Sequence, residues 1–375
     1  MAEKQSLDSI QILRGIAALA VVFHHACGTV AENAPHPAWL NQIGRLPEFG
    51  AAGVDIFFII SGFIMVYVSR DAFGRSGAAQ LFWRKRLIRI FPLYWLYTTL
   101  MLLLVLSPFA MQHAVFSLSY TIKSYLLIPA FNPGSALTLP QPLLQVGWTL
   151  SYELLFYFIF GTWLYLGKIK TLVPFVLGCF ILAFASSPVL PPGSPLGAFL
   201  GQPILFEFLY GVIVGVVFLQ GWRVQSTAAL ACVLIAAGAF AISIFVHPEL
   251  PMRWLFWGLP AALLVYGSLG LQPRANWLNS TLLALGDASY TLYLQHAFIT
   301  LAIGGLLKRS IIVHRIQPDL LIAMIVAGCA LLAWFSYKYL ELPMNTWLAQ
   351  RFIGPRRAVI SPAADSYTVL PESGI

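Results

Sequence analysis

The chain has 375 residues, of which 59% are hydrophobic and 10% charged. A soluble protein of this length carries about a quarter charged residues, so composition excludes an ordinary soluble enzyme and predicts an all-α, polytopic membrane protein. The net charge of +8 is read first as membrane topology rather than as a nucleic-acid surface, and Cys27, Cys179, Cys232 and Cys329, each alone in an apolar run, offer neither a disulfide framework nor a metal spacing.

Ten spans are predicted, at about 10–28, 52–69, 89–107, 147–166, 171–187, 203–220, 227–246, 253–270, 287–306 and 320–340. The first run follows Lys4 and ends near Cys27 like a lipoprotein leader. However, His24 and His25 stand where such a cleavage site needs small or aliphatic residues, so the run is expected to remain as an anchor. Sorting Lys and Arg between the two sides, with the N-terminus in the cytoplasm, places sixteen inside and six outside. That split predicts both termini in the cytoplasm. The domain expectation is one membrane domain over 1–345 and a disordered cytoplasmic tail over 346–375. The longest break, Ser107–Val146, is an outer loop with a short interfacial helix expected in Phe116–Ile128 and irregular chain from Pro129 to Pro142. No internal repeat of the transporter kind is visible.

Within the first span the stretch L-R-G-I-A-A-L-A-V-V-F-H-H-A (13–26) opens on Arg14 and closes on two histidines. On a helix, eleven residues make three turns plus roughly 20°, so Arg14 and His25 share one stripe about 16 Å apart along the axis, and His24 misses it by about 80°. An ionisable side chain inside a membrane helix is a functional candidate by default. Asp55, in G-V-D-I-F-F-I-I-S-G-F (53–63), lies near the outer start of the second span. It shares its depth with His25, and a carboxylate there could fix the imidazole's tautomer; alone it would be an ordinary headgroup-level carboxylate.

In F-W-R-K-R-L-I-R-I-F-P-L-Y-W (82–95), Arg86 and Arg89 share a helical face at the predicted cytoplasmic mouth. Arginine forks suit phosphate oxygens, whereas a positive-inside cluster would only fix topology. The fourth span opens W-T-L-S-Y-E, with Glu153 several residues inside the outer edge. A carboxylate there must be paired or protonated, with Tyr152 or Tyr157 nearby. Glu207 raises the same question without an assigned role. In G-D-A-S-Y-T-L-Y-L-Q-H, Ser289, Tyr293 and His296 fall at i, i+4 and i+7, a polar stripe that should face protein. Glu341 of K-Y-L-E-L-P is expected near the inner surface.

Taken together, these motifs resemble the acyltransferase-3 family of bacterial membrane O-acyltransferases, nearest its exopolysaccharide-production type. Arg14, ten residues, then His25 fits the family's Arg/Lys–ten–His signature. R-L-I-R (86–89) fits its R-x-x-R motif, W-T-L-S-Y-E its fourth-span glutamate, and S-Y-x-x-Y-x-x-H (289–296) and E-x-P (341–343) fit as well. The resemblance implies transfer of an acyl group, most often acetyl, from acyl-CoA to a hydroxyl of an exopolysaccharide or lipid-linked sugar, in the bacterial inner membrane. It implies His25, Arg14 and Glu153 as catalytic, with Asp55 joining them on the shared depth alone, Arg86 and Arg89 as the CoA-phosphate site, and Ser289, Tyr290, Tyr293 and His296 as substrate-binding. No bound cofactor, metal or nucleic acid is expected. The predicted depths imply that the acyl group or its thioester arm crosses part of the membrane within the bundle. Many relatives carry a fused hydrolase-like domain or an extra span. Neither is seen here, so the chemistry is expected to finish in the ten-helix unit. Two other classes fit parts of the pattern: a transporter or flippase using His25, Asp55 and Glu153 as a proton relay, and a non-enzymatic component of a polysaccharide-synthesis complex.

Overall fold

A computed structural model describes residues 2–34, 38–43, 45–107, 115–134, 139–245, 252–271, 273–309 and 316–354. Every regular element among them is helical: α1 (Ala2–Asn33), α2 (Leu46–Phe49), α3 (Gly53–Ser69), α4 (Ala78–Leu106), α5 (Leu118–Tyr125), α6 (Trp148–Leu166), α7 (Leu172–Ser186), α8 (Pro195–Leu200), α9 (Phe206–Leu219), α10 (Ser226–Ser243), α11 (Arg253–Phe256), α12 (Gly258–Ser268), α13 (Trp277–Asp287), α14 (Ser289–Arg309), α15 (Pro318–Ser336) and α16 (Leu342–Phe352). Breaks fall where the sequence supplies caps and prolines. Asn276 accepts a hydrogen bond from the Asn279 amide at 2.8 Å to open α13, and Gln317 accepts from Leu320 at 3.1 Å ahead of Pro318.

Seven segments among the described residues are long and apolar enough to cross a membrane: Leu7–Asn33, Leu46–Ser69, Ala78–Leu106, Ile169–Val189, Ser226–Ser243, Ser289–Arg309 and Pro318–Phe352. The chain is thus an all-helical, polytopic membrane protein. The other three predicted spans are also helical but fall short in apolarity or length. The helix α6 is loaded with Trp, Tyr and Glu153, Pro203–Leu219 is short, and 253–270 breaks at Trp257 into α11 and α12. The third span starts earlier than hydropathy indicated. Its helix begins at Ala78, so Arg84, Lys85 and Arg86 lie inside it rather than ahead of it, and Arg89 lies three turns in rather than at its start. Hydropathy trimmed them away because each charge lowers the window average.

The chain forms two compact units, 1–68 with 210–343 and 69–209 with 344–359 among the described residues. In the first, α1 is the central helix, packed against α12, α13, α14 and α15. Its apolar face (Ala18, Val22, Ala26, Cys27, Val30) meets Leu292 and Leu307 of α14 and Leu321, Ile322, Ile325 and Cys329 of α15 in one buried cluster. The backbones come close because small residues sit at the crossings, as helix packing in lipid favours. A Cβ on Gly286 would lie 2.1 Å from the Gln11 carbonyl oxygen, and one on Gly53 2.3 Å from that of Ala17.

In the second unit α4 packs on α6 and α6 on α7, around an aromatic core of Phe82, Phe156, Tyr157, Phe160 and Phe208. The short helix expected in 116–128 is α5. It is held to α4 by Tyr94 Oη donating to the Ser124 carbonyl at 2.6 Å and Trp95 Nε1 to that of Tyr125 at 2.9 Å, and Leu118 and Ile122 stay exposed. The helix α16 (342–352) covers the first residues of the stretch 346–375 expected to be disordered; the rest of that stretch from 355 onward, and part of the Pro129–Pro142 loop, fall outside the described residues.

Candidate functional site

The polar stripe of α1 lies against the polar stripe of α14. At one end Arg14, buried, donates from Nη2 to Ser289 Oγ at 2.9 Å and from Nη1 to Gln11 Oε1 at 3.1 Å. Gln11 in turn donates from Nε2 to Asp287 Oδ1 at 2.6 Å. The crossing at Gly286 brings these four residues within reach. At the other end the His25 ring lies 4.9 Å from that of His296, centroid to centroid and tilted by 38°. His296 is fully buried, with Tyr293 packed 6.0 Å away, while His25 is exposed. The two helices therefore run in the same direction, with Arg14 opposite Ser289 and His25 opposite His296.

His24, 5.0 Å from His25, turns elsewhere: its Nδ1 bonds the Pro47 carbonyl at 2.7 Å, tying α1 to α2. Only the ring can donate in that bond, so Nδ1 carries the proton. This matches the helical phase read from the sequence.

Asp55 does not orient His25. Its carboxylate is fully buried and taken by Arg253, whose Nε lies 3.0 and 3.1 Å from the two oxygens and whose Nη2 lies 2.6 Å from Oδ2. Arg253 Nη2 also donates to the Ala51 carbonyl at 2.7 Å, and the guanidinium covers the Trp257 ring at 4.8 Å. Shared depth with His25 was a necessary condition only. A fixed guanidinium is the stronger partner for a buried carboxylate.

The second unit holds its own polar cluster. Tyr157 Oη donates to Glu153 Oε1, and both Arg86 and Arg89 act electrostatically on that phenol. Arg86 is buried against the Phe82 and Tyr157 rings, at 5.8 and 5.9 Å from their centroids, and its Nε has no hydrogen-bond partner among the described residues. Depths read from the sequence had put the arginines at the inner mouth and Glu153 toward the outer edge. The early start of α4 carries the arginines two and three turns into the helix, which is how one cluster forms. Tyr152 goes elsewhere, its hydroxyl donating to the Phe199 carbonyl at 3.1 Å.

Of the remaining candidates, Tyr290 is half-buried, Tyr293 is buried and stacks edge-on with Phe57 at 6.2 Å, and Glu207 is fully buried. Glu341 is buried too and accepts from Thr291 Oγ1, rather than lying in the interface as expected; it ends a π-helical turn, Tyr337–Glu341, just before Pro343. Sequence reasoning missed Gln11, Asp287 and Arg253. The first had a signal, since Gln11 sits one turn before Arg14 on the same face. Asp287 stood in the G-D-A-S run, but nothing in sequence joined it to Gln11. Arg253 had no signal at all. Among the described residues no group of three or more His, Cys, Asp or Glu side chains is placed to hold a metal ion.

Comparison with known proteins addresses the same stretch. Residues 7–339 match the family model described as an acyltransferase domain. The exopolysaccharide production protein ExoZ of Rhizobium meliloti is 33% identical over 81% of this chain and 92% of its own. The acyltransferase MdmB of Streptomyces mycarofaciens is 26% identical over 78% of this chain and 79% of its own. The peptidoglycan O-acetyltransferase OatA of Listeria monocytogenes is 24% identical over 91% of this chain, which spans 56% of that protein. No solved structure matches. With the match running from within α1 into the π-helical turn after α15, the chain belongs to the acyltransferase family that this model defines.

Proposed function

We propose that the protein is an inner-membrane O-acyltransferase that moves an acyl group, acetyl in the simplest case, from acyl-CoA to a hydroxyl of an exopolysaccharide or lipid-linked sugar. The observation that carries the reading is His25, an exposed imidazole on the same helix as the buried Arg14, in a chain of this family. An imidazole is the side chain best suited to take a hydroxyl proton near neutral pH. In this reading the acceptor oxygen attacks the thioester carbonyl, its proton passes to His25, and the carbon–sulfur bond breaks as that proton leaves on the CoA sulfur. Transient acylation of His25 itself is the two-step version of the same transfer.

Arg86 and Arg89 are the CoA-phosphate site. The buried Arg86 guanidinium, whose Nε has no hydrogen-bond partner among the described residues, is suited to a phosphate oxygen, and Glu153 stands beside it through its bond with Tyr157. Arg14 does not reach the carbonyl that His25 serves. The two residues are about 16 Å apart on one continuous helix, and Arg14 is engaged with Gln11 and Ser289. It therefore acts on a remote part of a substrate rather than on the developing oxyanion. Tyr290 and Tyr293 are the sugar-facing candidates on α14, and Asp55 serves the fold through Arg253.

The test is mass spectrometry of the host's surface polysaccharide with the wild-type gene, without it, and with His25→Ala. The expected result is loss of one acyl mass per repeat in the last two, with the His25→Ala protein still inserted and still binding acyl-CoA. An unchanged glycan in the deletion strain, or full acylation by His25→Ala, refutes the reading.

A further inference from the structure

A base on an exposed face needs something to hold its tautomer and its rotamer. Asp55 is held by Arg253, and the Nδ1 of His24 is held by the Pro47 carbonyl. The ring that remains beside His25 is His296. Its Nδ1 lies 3.2 Å from the Leu292 carbonyl oxygen, one turn back on α14. A carbonyl only accepts, so Nδ1 carries the proton, and in the neutral ring Nε2 is then a bare acceptor. That Nε2 is buried and has no hydrogen-bond partner among the described residues. A buried acceptor is rarely left unmet without a reason.

We propose that His296 is the positioning residue for His25: its Nε2 accepts a hydrogen bond from the His25 ring and so decides which nitrogen of His25 faces the acceptor hydroxyl. The inference rests on the proposed function above and adds the part that the carboxylate was expected to play. The observed 4.9 Å between centroids suits it. A direct bond needs the nitrogens about 2.9 Å apart, which sets two imidazole centroids about 5 Å apart. That bond requires the exposed His25 ring to turn about its Cβ–Cγ bond until a nitrogen meets Nε2, while His296 is kept in place by Leu292 and the Tyr293 ring. During transfer the hydroxyl O–H bond breaks toward the outward nitrogen of His25, and that same proton later departs on the thiolate sulfur. His296 accepts from the inward N–H of His25 throughout and changes its protonation at no step.

The experiment uses the purified full chain in detergent, with His296→Phe (similar size, no acceptor) and His296→Gln (an acceptor oxygen kept). Two readouts are taken: kcat and KM for acetyl-CoA and for the sugar acceptor, and the rate at which diethyl pyrocarbonate modifies His25, followed by peptide mass spectrometry. The expected result for His296→Phe is a kcat lowered about 10–100-fold, the usual cost of losing an orienting partner, with both KM values unchanged and the His25 modification rate altered. His296→Gln should recover part of both. A raised acceptor KM at wild-type kcat would make His296 a substrate contact and overturn the proposal. Equal loss in both variants with an unaltered His25 modification rate would make it packing, with the same consequence. Should His296→Phe fail to accumulate, His296→Met takes its place. Wild-type turnover by His25→Ala is a different failure, since it removes the proposed function whatever the His296 variants do.

Discussion

Replacing Gly286 by alanine tests how the Arg14 end of the site is built. The new methyl would sit 2.1 Å from the Gln11 carbonyl oxygen and near that residue's carbonyl carbon at 2.8 Å. Carbon and oxygen approach to about 3.3 Å at the closest, so α1 and the end of α13, which leads directly into α14, must separate by roughly 1.2 Å. The obstacle is backbone, and no side-chain rotation relieves it. Such a shift stretches the 2.9 Å bond from Arg14 to Ser289 beyond hydrogen-bonding range. Overpacking costs about 1–3 kcal/mol and a lost charged hydrogen bond about 1.5–3 kcal/mol; the two share one displacement and do not add fully, so about 3 kcal/mol is expected. The assay is thermal unfolding in detergent followed with a thiol-reactive fluorophore, for which the buried Cys27 and Cys329 are the reporters. Gly305→Ala on α14 is the control. Nothing lies within 4 Å of its would-be Cβ, so it should hold steady or gain about 0.5–1 kcal/mol from helix propensity. If Gly286→Ala unfolds with Gly305→Ala and turns over like wild type, the close crossing does not hold Arg14.

Arg86→Ala and Arg89→Ala should each weaken acyl-CoA binding by about 1.5–3 kcal/mol, read by calorimetry, with lysine rescuing only in part because the fork is lost; wild-type affinity in both would leave the pair as a topology signal. Asp55→Ala or Arg253→Ala should cost about 3–5 kcal/mol by stranding a buried charge, and Asp55→Ala with Arg253→Met should regain much of it. Activity lost at unchanged stability would instead return Asp55 to the chemistry. His24→Phe should lose about 1 kcal/mol with the Pro47 bond and keep most turnover, so a loss equal to that of His25→Ala would refute the helical phase of α1.

What the sequence made legible followed from period and composition. The helical class needed only the apolar runs, and the Arg14–His25 stripe needed only eleven residues at the helical angle, which is why His24 was set apart correctly. Ser289 and His296 were legible as a stripe facing protein, although nothing local could say that they meet Arg14 and His25. The failures share one cause. Asp55 was matched to His25 by depth, and Glu153 was separated from Arg86 by depth, because one sequence reports position along the membrane normal and not who sits across the bundle. Arg253 illustrates the limit, since its partners Asp55 and Ala51 are about two hundred residues away in the chain.

The parallel pairing of α1 and α14 has a mechanical side. Arg14 and His25 are separated by eleven residues on one helix, while Ser289 and His296 are separated by seven on the other, so at about 1.5 Å per residue the two scales differ by roughly 6 Å. The arginine takes up that difference with its long side chain, leaving the short imidazole pair in register. The assembly is a vernier: a small slide of α14 changes the reach asked of a long guanidinium arm at one end and the spacing of two short rings at the other. The histidine end is thus the stiff end of the pair, where small displacements have the largest effect on geometry.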